Sequence, residues 1–230
     1  VLKVFFDYCV TMGWTDRNPL AGIEPARPDQ AKPKLLLNAG ELLELLENCQ
    51  RPDERIACAL GMNTGLRSND IIRLTIFDAS LASGTIQTEI RKTRKFDVKP
   101  ITMELHRELT DWLETYAKLA GLPGRGHLPN DWLLLPAMSV TPFRTELLQP
   151  KPTTVLKHPW RLVQRPLERM GYPTKGEGFH TLRRSSARAL FESLRESGEG
   201  RDHALMICKD FLNHASVTQT EHYLGLNAER

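Results

Sequence analysis

Cysteine is scarce in this sequence: Cys9, Cys49, Cys58 and Cys208 are the only four, they lie far apart, and none forms a C-x-x-C pair. That argues against a zinc ribbon or a disulfide framework and points to reduced thiols in a cytosolic protein. Long apolar runs are missing too. None approaches the roughly 20 residues needed to cross a bilayer, and no signal-peptide pattern opens the chain, so no membrane partner is expected. Nor is there a large excess of charge of one sign. With 31 Lys+Arg against 28 Asp+Glu the net charge is +3 over 230 residues, which permits an anionic partner without demanding one. Local clustering therefore carries more information than the total. The sequence also lacks internal repeats and low-complexity segments, and its length suits one large domain, or one domain with a small appendage. It opens on Val1 and not on Met, so a fragment of a longer protein is expected.

What is there reads as mostly helical. VLKVFFDYCVTMGW has apolar residues at Leu2, Phe5, Phe6, Cys9 and Val10, a helical period ending near Gly13. Four prolines between Asn18 and Lys34 mark an extended linker. The expected organisation is thus a lone helix over 1–17, a linker over 18–34 and a main domain over 35–230. Asn38 is placed to cap a helix carrying Leu42, Leu43, Leu45 and Leu46. Residues 55–74 read as a helix broken at Thr64-Gly65 and resumed near Arg67. TIQTEI (85–90) alternates with period two, RKTRK makes a basic turn, and FDVKPI returns, giving a hairpin with a cationic tip. Leu105, Leu109, Trp112, Leu113, Tyr116 and Leu119 mark an amphipathic helix. Residues 121–150, rich in Gly and Pro, yield no assignment beyond a short apolar piece, WLLLP. Pro159 and Pro166 interrupt a helical pattern over 154–170. Helices then follow over about 181–197, 201–212 and from Val217, the last with Ser216 and Gln219 at capping-box spacing. The expected class is mainly α with one small antiparallel sheet (α+β).

Four local features can carry chemistry. Arg67 follows Thr-Gly at a helix start, where free N–H groups and the helix dipole favour an anion; a surface ion pair with Asp70 explains it equally. Arg91, Lys92, Arg94 and Lys95 put four cations in five residues at a turn that could enter a nucleic-acid groove, or simply be solvated. His180 and Arg183 stand three apart at a helix start, able to face one point, although a buried histidine beside an exposed arginine gives the same pattern. His214 and Tyr223 close the set, and a lone tyrosine there would be a core or interface plug. His203, Cys208, His214 and His222 lie close in sequence but lack zinc-site spacing, so no metal is expected.

Taken in order, TGLRSNDIIRL (64–74), IRKTRKFDVKPI (90–101), HTLRRSSARAL (180–190) and FLNHASVTQTEHYLG (211–225) resemble the signature of the tyrosine recombinases, or phage-type integrases. The resemblance covers about residues 35–225, and residues 1–23 resemble the last helix of the core-binding domain preceding the catalytic domain in that family. It implies a fold shared with type IB topoisomerases. It also implies a site in which Arg67 is the first catalytic arginine, Lys92 the hairpin lysine, His180 and Arg183 the H-x-x-R pair, His214 the second histidine, Tyr223 the nucleophile and Asp70 a support for the arginine. Arg91, Arg94, Lys95 and Arg184 become expected DNA contacts. The implied function is site-specific DNA cleavage and rejoining through a 3′-phosphotyrosine, without cofactor or metal, for integration or excision of a phage or other mobile element. The implied partners are double-stranded attachment sites, a homotetramer on DNA formed from monomers, and an accessory directionality factor. A topoisomerase-like nicking-resealing enzyme and a catalytically silent DNA-binding module are the alternatives. Three departures stand out: Asn213 replaces the usual Gly before His214, Asp70 replaces Glu, and only seven residues follow Tyr223.

Overall fold

The computed structural model describes residues 2–24, 34–90, 95–141 and 144–226. They fall into two units, Val1–Lys34 and Leu35–Arg230. In the first, helix α1 (Leu2–Thr11) ends where Gly13 takes a left-handed φ of 69° and the Trp14 N–H returns to Cys9 O. The Asn18 amide donates to Lys3 O at 2.9 Å and Asp7 Oδ1 at 2.6 Å. Part of the segment expected to be linker is therefore folded back on α1.

The second unit opens with α2 (Ala39–Glu47), capped reciprocally by Asn38 and Glu41. Only Leu42 and Leu45 of its leucines are fully buried, while Leu43 faces solvent. Helix α3 (Pro52–Asn63) is the centre of the main core: Ile56, Ala57, Cys58, Ala59 and Leu60 are consecutive and all buried, the mark of a helix covered on every side. It packs against α2, α5 (Met103–Leu119), α6 (Arg161–Arg169) and α7 (Phe179–Glu196). Its first turn carries Glu54, wholly buried yet ion-paired to Arg169 at 2.8 Å and Arg165 at 3.5 Å, which ties α3 to α6. The break at Thr64-Gly65 occurs as expected, but the resumed helix α4 (Ser68–Ile71) is a single turn. Four residues sum too little dipole to support the anion-binding argument made for Arg67 from the sequence.

Strands β1 (Ala79–Ser80), β2 (Thr85–Ile90) and β3 (Lys95–Pro100) form an antiparallel sheet in that order, with Ile86 opposite Lys99 and Thr88 opposite Asp97. Residues 121–150 hold a second hairpin, β4 (Ala137–Thr141) with β5 (Arg144–Lys151). There are thus two small sheets where the sequence suggested one. The WLLLP piece buries Leu134 and Leu135 and takes a hydrogen bond from Trp112 Nε1 to Leu134 O, anchoring the loop to α5. Pro166 sits inside α6 and cannot donate to Leu162 O; Cys58 Sγ lies 3.9 Å from that carbonyl and supplies a weak replacement.

A smaller core joins α7, α8 (Arg201–Phe211) and α9 (Val217–Leu224) through Ala187, Phe191, Leu205, Cys208, Leu212 and Leu224. Among the described residues no helix is long and apolar enough to cross a membrane. The observed class is mainly α with small antiparallel sheets.

Candidate active site

The site is organised around the C-terminus of α8, where a helix leaves its last carbonyls without intrahelical donors. Cations from two other elements supply them. Lys99 Nζ donates to Asp210 O at 3.0 Å and Phe211 O at 3.1 Å, and Arg183 Nη2 donates to Leu212 O. A third element comes close without a side chain. Gly65 has φ 60°, and a Cβ there would stand 2.4 Å from Phe211 O, so only glycine lets the turn before Arg67 approach this helix end. Strand β3, helix α7 and the α3–α4 turn, distant in sequence, therefore meet at one helix terminus.

The chain leaves α8 through Asn213, the one described non-glycine residue with positive φ (50°). The family resemblance expects glycine at this position. Asparagine tolerates the left-handed region better than other residues with a Cβ, and its amide is held at both ends: Nδ2 donates to Asp97 Oδ2 at 2.6 Å, and Oδ1 accepts from Lys99 Nζ at 2.9 Å. The turn delivers His214, buried, with Nδ1 3.2 Å from Thr220 Oγ1. Ser216 then caps α9 by accepting from the Gln219 N–H, while the Gln219 side chain reaches back to the Ala215 N–H, one residue before the position a capping box would use.

Tyr223 is the penultimate residue of α9. Its ring meets the His214 imidazole edge-to-face at 5.1 Å between centroids, with the Arg183 guanidinium carbon 5.9 Å from the ring centroid. The phenol hydroxyl is 3.4 Å from His180 O, at the first turn of α7. Burial pushes the phenol above its ordinary pKa, against the opposing pull of Arg183, Arg184 and Arg67. Arg183 is only 2% exposed. Burial and the neighbouring Arg67 charge lower its guanidinium to about 10, while Tyr223 and Asp70 oppose the shift; it remains a cation at neutral pH. His180 is exposed, so the pair inverts the structural alternative of a buried histidine beside an exposed arginine. Asp70 is buried, not a surface partner, and its Oδ2 has no hydrogen-bond partner among the described residues.

Five of the six expected catalytic residues thus gather on α7, the α8–α9 turn, α9 and the start of α4. Lys92, with Arg91 and Arg94, lies outside the described residues, as does the Lys95 side chain. Arg184, expected to contact DNA, donates to Leu35 O at 2.6 Å and pairs with Glu177 at 3.7 Å, so its guanidinium is engaged within the domain. Lys99 and Asp97 did not emerge from the sequence. Their only signal was a lysine and an aspartate standing opposite Ile86 and Thr88, the inward side of β2. Among the described residues no group of three or more His, Cys, Asp or Glu could hold a metal ion.

Helices α7, α8 and α9 thus bring the Tyr223 ring against His214 and Arg183, with its hydroxyl near the His180 carbonyl and within the field of Arg67. The chain belongs to the phage integrase family, which matches residues 36–230. It is 23% identical over 224 residues to a tyrosine recombinase of Pseudothermotoga lettingae, covering 97% of this chain and 67% of that protein. Among solved structures it resembles the XerA recombinase (TM-score 0.59, 20% identity, 97% of this chain and 68% of that one). It also resembles a lambda integrase dimer bound to a COC′ core site (TM-score 0.64, 19% identity, 97% and 56%), and the Tn1549 transposon integrase in complex with a circular intermediate DNA (TM-score 0.66, 15% identity, 96% and 71%).

Proposed function

We propose that this chain is the strand-exchange domain of a site-specific DNA recombinase, with Tyr223 as nucleophile. The observation that carries the reading is the buried, still charged Arg183 beside the Tyr223 ring, with the field of Arg67 reaching both. Attack of a phenol oxygen on a phosphodiester places new negative charge on the non-bridging oxygens. Two guanidinium groups can take that charge in fork geometry, which an ammonium cannot reproduce. The phenol must lose its proton, for which the His180 imidazole, exposed at the start of α7, is the candidate acceptor; His214 can donate to the phosphate. The leaving 5′-oxygen must gain a proton, a role we assign to Lys92. Bond making and breaking balance: one phosphorus–oxygen ester is exchanged for another, leaving a 3′-phosphotyrosine and a free 5′-hydroxyl. The ester energy is retained, so reversal by another 5′-hydroxyl needs no ATP and no metal.

Double-stranded attachment sites are the proposed partners, engaged by four copies during exchange, with free protein monomeric, an accessory factor setting direction, and the work carried out in the cytoplasm. The lambda integrase tetramer bound to a Holliday junction, 19% identical and similar over 96% of this chain, supports that assembly by analogy. Residues 1–17 are proposed as the end of a preceding DNA-binding domain and 18–34 as its linker to the catalytic domain over 35–230.

The test is covalent trapping. A nicked suicide duplex carrying the site is expected to leave a protein–DNA adduct that survives denaturation and is unaffected by chelator. Tyr223→Phe should abolish the adduct and retain DNA binding. An adduct of undiminished yield in Tyr223→Phe overturns the assignment.

A further inference from the structure

Asn213, one of the residues that depart from the family pattern, is held by hydrogen bonds at both ends of its side chain at the α8 terminus. Its carboxamide lies between two side chains of β3, accepting from Lys99 and donating to Asp97, which are themselves paired at 3.2 Å. Lys99 is buried, and burial draws its ammonium below its ordinary pKa while Asp97 opposes the shift. A buried ammonium with four acceptors within reach, two of them the last carbonyls of α8, is an expensive arrangement to assemble merely to fill a turn. A glycine would supply the backbone conformation without it. What the side chain adds is a fixed connection between the hairpin and the turn that leads directly to His214.

We propose that Asn213, Asp97 and Lys99 form a positioning latch: by clamping the α8–α9 turn to β3 they set the His214 ring against Tyr223 and hold the phenol at the first turn of α7. None of the three touches the reacting atoms. They act through His214, one residue beyond Asn213, and through α9, whose start is fixed by the same turn. The latch replaces conformational freedom that glycine would leave in the turn with a hydrogen-bonded geometry, so the His214–Tyr223 contact is made before a phosphate arrives. This rests on Tyr223 being the nucleophile.

The test is an exchange of the two ends. Asn213→Asp keeps size and left-handed tolerance but sets a carboxylate against Asp97. Combining it with Asp97→Asn puts the donor on β3 and the acceptor on the turn, restoring the same hydrogen bond beside the same lysine. Adduct formation on the suicide duplex is expected to slow roughly 10-fold or more in Asn213→Asp, with DNA affinity retained, and to recover most of that rate in the exchanged pair. In parallel, the Tyr223 phenolate absorbance, isolated by subtracting a Tyr223→Phe control in each background, should move away from the wild-type titration in Asn213→Asp and return towards it in the exchanged pair. A change in bulk stability alone would not move that signal. Wild-type rate and titration in Asn213→Asp, or no recovery in the exchanged pair, overturns the latch. Should wild-type protein form no adduct at all, the nucleophile assignment fails, and the titration arm still decides whether the latch holds the phenol.

Discussion

Tyr223 and Arg183 work against each other's solvation. Burying an arginine is costly unless a polar partner faces it, and burying a phenol raises its pKa; here each lies in the other's field. The net direction for Tyr223 is upward, so at neutral pH it rests as a phenol, and in the proposed reaction it must hand its proton to a base during attack. A difference titration of wild type against Tyr223→Phe should therefore show one phenolate forming above the ordinary value near 10. A normal titration would mean that the arginines balance burial, and a depressed one that they outweigh it. The residue types at this scale suit phosphate chemistry, which uses guanidinium forks, imidazoles and a nucleophile, but it was the resemblance to the tyrosine recombinases that singled them out as a set. Which member of the His180–Arg183 pair would be buried was not readable, since i, i+3 spacing is indifferent to it.

At the scale of elements, the α8 terminus decides where everything else goes. Its carbonyls receive Lys99 and Arg183, and its last turn is approached by Gly65. Gly65→Ala is expected to cost about 1–3 kcal/mol from the left-handed φ alone, with a further steric cost against Phe211 O, and to slow adduct formation by moving Arg67. Urea unfolding and trapping yield measured together check this, and an alanine variant matching wild type in both would refute the close approach. Strand β3 shows why this scale resists sequence reading. The alternation in FDVKPI turns Phe96 and Val98 inward if apolar residues are taken to face the core, yet they are 85% and 57% exposed, whereas Lys99 is buried. The helix end below the sheet provides carbonyls, so the inward positions go to a cation and its carboxylate. The second hairpin was equally opaque, because AMSVT and RTELLQPK show no sustained period-two apolar alternation in the sequence.

The second unit is held by a main core around α3, by a smaller core between α7, α8 and α9, and by a buried carboxylate that ties helices together. That carboxylate belongs to Glu54. Burial works to raise its carboxyl, but the Arg169 hydrogen bond and charge, the Gln50 N–H and the Arg165 charge outweigh it, leaving the group below its ordinary value of 4.5. A carboxyl depressed in the folded state stabilises fully above its unfolded pKa and loses that contribution as pH falls through the folded value. Thermal melts should therefore lose stability on acidification below about pH 4.5, and Glu54→Gln should flatten that limb while costing about 1–3 kcal/mol at neutral pH. An unchanged acid limb in the variant would assign the loss to other carboxylates.

The sequence by itself determined the helical character, the broken α3–α4 segment and the first hairpin, which depend on periodicity and on breakers, both of them local. The order of the proposed catalytic set came from the resemblance of four motifs to the tyrosine recombinases. Only the tertiary structure decided that Arg183 is buried, that Arg184 is engaged by Leu35 O and Glu177, that Asn213 can stand at a left-handed position, and that Lys99 and Asp97 belong to the site. Arg183, Asn213 and Lys99 meet partners more than 20 residues away in sequence at the end of α8, and Arg184 reaches back to Leu35 O at the start of the domain, pairings that no local pattern records.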